Sequence, residues 1–173
     1  MKIKLIWVGK TDGDVFDTAI QQYTQKIKFY TVYEPIAIPY LKNTKALSQD
    51  EQKKREGEQI LKKIEPGDYV VLLDERGKEF TSKKFAQFIQ QQANNGLKAL
   101  VFVIGGAYGF SDAVYARQNA QIALSQLTFP HIMTRLIFAE QLYRAFTILH
   151  GEPYHHWSFR FQKNAHLLKH PII

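Results

Sequence analysis

Leu100-Val101-Phe102-Val103-Ile104-Gly105-Gly106-Ala107-Tyr108-Gly109 is the stretch on which the fold turns. Five apolar residues run without polar alternation, as in a strand of a parallel sheet covered by helices on both faces. The glycines end that strand and let backbone approach a ligand closely, because no Cβ stands in the way. Ligands of such sheets bind beyond the carboxyl ends of the strands, which makes this loop a candidate binding element. Taken alone, the same glycines would also serve a tight turn.

Working outward, upstream residues 3–8 predict a first strand and residues 14–29 a helix with Phe16, Ile20, Tyr23 and Ile27 at helical spacing. Residues 35–39 predict a short strand flanked by prolines, suited to a sheet edge. Ser48-Gln49-Asp50-Glu51 is a capping box opening a charged helix to about residue 64. Pro66-Gly67-Asp68 is a turn, residues 69–74 a buried strand with Gly77 ending the turn after it, and Thr81 caps a helix to about residue 93. Downstream, Ser111 caps a short helix to about residue 118, residues 122–125 predict a fifth strand, and residues 131–150 form a long helix stopped by Gly151 and Pro153. Five strands alternating with helices predict one α/β domain with a mainly parallel five-stranded sheet and helices on both faces.

A chain of 173 residues can bury a full core without staples. It contains no cysteine, which excludes disulfides, thiolate catalysis and cysteine-ligated metals. None of the six histidines stands in a zinc-protease pattern, and no metal is expected. The first residues carry too short an apolar run for a signal peptide or a membrane span, so a cytoplasmic protein without a membrane partner is expected. A formal charge of +7 favours a polyanionic partner such as nucleic acid, or serves solubility alone. Gly9-Lys10-Thr11 lacks the first glycine of a P-loop, and no Gly-x-Gly-x-x-Gly follows the first strand, so the familiar nucleotide folds lose support.

The glycine loop, together with Leu124-Ser125, Thr128-Phe129-Pro130-His131, Arg135, Glu140-Gln141-Leu142-Tyr143-Arg144-Ala145 and Tyr154-His155, resembles the RlmH family of SPOUT methyltransferases. Lys54, Glu56, Gly57, Glu58 and Leu73-Asp74-x-x-Gly77-Lys78 extend the resemblance over residues 1–156. It implies a C-terminal trefoil knot, an obligate homodimer, and S-adenosylmethionine-dependent methylation of N3 of a pseudouridine in a hairpin loop of 23S ribosomal RNA of the large subunit. It places the cofactor on Leu73, Gly105, Leu124, Ser125, Gln126, Leu127, Thr128 and Phe129. A ribosome-associated RNA-binding protein that kept the fold without catalysis is the rival reading. Residues 157–173 run beyond the usual family end. They read either as a terminal tail or, through Trp157, Phe159, Arg160, Phe161 and Lys163, as a surface for bases and phosphate.

The expected chemistry names four catalytic candidates: Arg135, His131, Tyr154 and His155. Proline before His131 fixes the entry of the last helix, and Arg135 follows one turn on. Tyr154 could stack on a base and His155 could stand near its N3, across a dimer. Glu140 and Arg144, four apart with the acid first, predict a structural helical ion pair. The widely apolar surface of residues 131–150 predicts cover on two sides, by the sheet and by a second subunit.

Overall fold

A computed structural model describes residues 1–9 and 15–156; the extension at 157–173 lies outside the described residues. The strands are β1 (Lys2–Val8), β2 (Tyr33–Ile38), β3 (Tyr69–Glu79), β4 (Ala99–Ile104) and β5 (Ala120–Ala123). They pair in parallel in the order β2-β1-β4-β3-β5. The helices are α1 (Val15–Lys28), α2 (Gln49–Leu61), α3 (Ser82–Asn94), α4 (Asp112–Arg117) and α5 (His131–Leu149).

The period-two geometry of a strand divides the core into two layers. Ile3, Leu5, Val71, Leu100, Phe102 and Ile104 face one way, onto Ile27 of α1, Phe85 and Ile89 of α3, and Phe138 and Leu142 of α5. Ile6, Val70, Leu72, Val101 and Val103 face the other way, onto Ile60 of α2 and Val114 of α4. Helices on both faces explain why the central strands show no polar alternation.

Local chemistry sets most of the boundaries. Ser48 Oγ accepts the Glu51 amide at 3.2 Å and Thr81 Oγ1 accepts that of Lys84 at 3.3 Å, so both expected caps form. Ser111 takes the N-cap position of α4 without a side-chain cap bond; its Oγ is turned instead against Gly57. Pro35 is tolerated inside β2 because β2 is an edge strand.

Three predicted strands need correction. β2 begins at Tyr33 and ends at Ile38, and β5 ends at Ala123 rather than 125. β3 continues to Glu79 instead of stopping at Asp74. Leu73 and Lys78 both pair with Ile122, so residues 74–77 bulge out of the ladder and the strand then resumes. A Cβ at Gly77 would lie 2.5 Å from the backbone of Ile122, so the chains cross there only because residue 77 is glycine. The polar run Asp74-Glu75-Arg76 hides this return to the sheet from any hydrophobic pattern.

Candidate active site

The β3 bulge, the carboxyl end of β4 and the start of α5 enclose a cleft of about 610 Å³. Its walls are the β3 bulge (Leu73, Asp74, Glu75, Arg76), the glycine loop from Gly105 to Phe110, and Phe129, His131 and Thr134 at the entry of α5. A smaller cavity of about 150 Å³ continues from it, bounded by Leu124, Ser125, Leu127 and Thr128 and sharing Leu73, Asp74, Glu75, Phe129 and Thr134. The two backbone segments singled out in the sequence therefore stand on either side of one depression.

The loop is tightly folded on itself. Gly109 N donates to Gly106 O at 2.9 Å, and Gly109 adopts φ +83°, which an L side chain rarely takes. Leu127 N donates to Ser125 Oγ at 2.9 Å, a local turn that leaves the Leu127 side chain exposed.

Asp74 organises the bulge. Its carboxylate accepts the Tyr115 hydroxyl at 2.6 Å and the Arg76 amide at 2.9 Å, while the Arg76 guanidinium reaches both Asp74 and Tyr115. Burial alone would push the Asp74 carboxyl up, but these hydrogen bonds outweigh it and hold it below its ordinary range. The Tyr115 phenol is pushed up to about 12 by burial and by its bond to Asp74.

His131 lines the cleft with its pKa lowered, first by burial and then by the nearby Arg135 charge. Arg135 does not line the cleft. It is 5% exposed, its guanidinium 5.3 Å from the Trp7 ring centroid. That is cation–π packing inside the subunit.

Tyr154 sits at the other end of α5, in a 3-10 turn at Pro153–His156. The 18 residue steps from His131 to Leu149 correspond to about 27 Å along a helix. Tyr154 donates to Glu140 at 3.2 Å, stands 3.3 Å from the Tyr23 hydroxyl, and lies under the Arg144 guanidinium. Burial, then the bond to Tyr23 and the Glu140 charge, push its phenol well up. The predicted Glu140–Arg144 pair forms at 2.5 Å. His155 belongs to the same turn, its side chain outside the described residues.

Of the expected cofactor residues, Leu73, Gly105 and Phe129 line the larger cleft, and Leu124, Ser125, Leu127 and Thr128 the smaller; Gln126 lines neither. Of the three catalytic candidates whose side chains are described, His131, Arg135 and Tyr154, only His131 lines the cleft within one subunit. Sequence reasoning assigned no role to Asp74, although it stood in a quoted motif, and missed Tyr115 altogether, because their pairing arises from α4 packing beside β3.

Residues 1–155 match the family described as "Predicted SPOUT methyltransferase". Over 156 residues the chain is 54% identical to ribosomal RNA large subunit methyltransferase H of Parabacteroides distasonis. Over the same length it is 53% identical to the proteins of that name from Christiangramia forsetii and Bacteroides thetaiotaomicron. Each alignment covers 90% of this chain and 99% of the relative. A probable methylase family protein from Haemophilus influenzae Rd KW20 is similar in structure at TM-score 0.49 and 12% identity, over 94% of this chain and 70% of that one. With the family match spanning residues 1–155 and more than half of the aligned residues identical in each of three relatives, the chain belongs to the SPOUT methyltransferase family.

Proposed function

We propose that this chain transfers the methyl group of S-adenosylmethionine to N3 of a pseudouridine in a hairpin loop of 23S ribosomal RNA, acting as a knotted homodimer in the cytoplasm. The carrying observation is the depression shared by the β3 bulge, the glycine loop beyond the carboxyl end of β4 and the entry of α5. The residues present suit the donor. Leu73, Leu124, Leu127 and Phe129 offer apolar walls to an adenine ring, and the backbone of Gly105 can approach it closely. Asp74, held ionised, and Glu75 put negative charge beside a cationic group.

S-adenosylmethionine supplies an electrophilic methyl on a positive sulfur. What the protein must add is alignment of the nucleophile and removal of the N3 proton. His131, kept neutral by burial and by the Arg135 charge, is the proton acceptor inside the cleft. Arg135 favours that neutral form from behind, acting through His131.

Tyr154 lies too far along α5 to serve its own cleft, so the target base is met by Tyr154 and His155 of a second copy. The Tyr154 phenol stays protonated and serves as a stacking surface and donor. Half-buried Ile132, Met133, Leu136 and Ile137 on α5 support a second copy at that helix. A net charge of +7 suits an RNA partner.

The test is incorporation of labelled methyl from S-adenosylmethionine into large ribosomal subunits with and without the target pseudouridine. Incorporation confined to pseudouridine-containing subunits supports the reading. A folded dimer that binds neither S-adenosylmethionine nor its demethylated product overturns it in favour of a non-catalytic RNA-binding protein.

A further inference from the structure

Glu56, on α2 and outside the cleft, is an expensive residue where it stands. It is 3% exposed, and a buried carboxyl costs free energy that an apolar residue of the same size would not. Gln52 Nε2 donates to Oε1 at 2.9 Å, and no hydrogen bond to Oε2 occurs among the described residues. Oε2 is turned to the underside of the glycine loop: a Cβ built at Gly106 would lie 1.9 Å from it. One residue on, a Cβ at Gly57 would lie 2.2 Å from Ser111 Oγ, at the far end of the same loop. Two neighbouring residues of α2 thus touch the loop near both of its ends.

From this contact we infer that Glu56 is a positioning residue for the methyl donor, fixing the height of the Gly106 backbone against the cleft. The inference rests on the reading of that cleft as the S-adenosylmethionine site. Gly106 lines the cleft and Glu56 does not, and the Cβ direction of residue 106 points at Glu56. Its φ is not in the left-handed region, so alanine is excluded there by the carboxyl alone. With the buried carboxyl held by Gln52, a methyl at 106 pushes the loop off α2 and towards the cleft. Removing the Glu56 carboxyl lets the loop sink, and removing it together with Gly106 restores the spacing.

Calorimetric titration of the full-length protein with S-adenosylmethionine reads this directly. Glu56→Ala and Gly106→Ala should each weaken binding by about tenfold, while the double variant recovers most of the loss, as expected for groups in contact. Glu56→Gln, which keeps the bulk, should bind as wild type does. In steady-state assays Glu56→Ala, whose side chain lies outside the cleft, should raise KM for S-adenosylmethionine and leave both kcat at saturation and KM for RNA unchanged. Additive losses in the double variant, or unchanged binding by a folded Glu56→Ala, overturn the inference. Should Glu56→Ala fail to fold, Gly106→Ala decides alone, and undiminished affinity overturns it. Wild-type protein that binds no S-adenosylmethionine overturns the reading of the cleft itself, a result distinguishable from all of these.

Discussion

His131 and Arg135 stand one turn apart on α5, yet their surroundings give them different tasks: one lines the cleft, the other is packed on Trp7. His131→Asn should therefore slow methyl transfer by about a hundredfold, within the range of a positioned general base, and leave the subunit folded. The same residue leaves a mark on stability. Its folded pKa lies below the ordinary 6.5, so the folded state binds fewer protons than the unfolded one. The stabilisation is complete above that value and is lost as pH falls from it towards the folded pKa. The stability advantage of wild type over His131→Asn should shrink on acidification through that range, read by urea denaturation; an advantage independent of pH refutes the assignment. Arg135→Ala should behave otherwise, losing thermal stability as well as activity, because it removes packing inside the core layer and a charge behind His131.

At the scale of elements, α5 was readable end to end because its stop at Gly151 and its start after Pro130 are chemical signals local in sequence. β3 was not, because its bulge is defined by pairing with Ile122, more than forty residues away, and no periodicity carries that. The cleft follows the same division. The glycine loop announced itself, whereas Tyr115 reaches the cleft only through the docking of α4, and Glu56 meets the underside of the loop only through the docking of α2. β1 conceals a further case. Lys4 points into the α2 face of the sheet at 4% exposure, its ammonium 3.0 Å from Asp68 and 3.1 Å from Glu65. Burial lowers its pKa, but the two carboxylates outweigh that and raise it overall. This stabilisation is therefore complete below the ordinary lysine range, as long as the carboxylates are ionised, and is lost as pH rises through the raised lysine pKa. Asp68→Ala removes the buried one of the two partners, leaving the ammonium only the exposed Glu65, and should cost about 3 kcal/mol; Lys4→Met in the same chain should restore most of it. A loss of similar size that Lys4→Met leaves uncorrected would show that the turn at Pro66-Gly67, not the ion pair, needs Asp68.

At the scale of the whole molecule, the separation of Tyr154 from the cleft turns the proposed dimer into a complementation problem. If each site joins one copy's cleft to the other copy's 3-10 turn, His131→Asn and Tyr154→Ala damage opposite halves of every site. Either variant alone has two damaged sites per dimer. In a mixed dimer, one site gathers both lesions and the other gathers neither, since it pairs the intact cleft of the Tyr154→Ala chain with the intact turn of the His131→Asn chain. Unfolding and refolding the two variants together in equal amounts makes half of the dimers mixed, so activity should return to about a quarter of the wild-type value. Sites built within single subunits would gain nothing on mixing. Recovery at about that level, measured as methyl incorporation into ribosomal RNA, would tie the two ends of α5 to one active site shared between copies. Mixtures no more active than the better variant would return Tyr154 to a structural role beside Glu140 and Arg144.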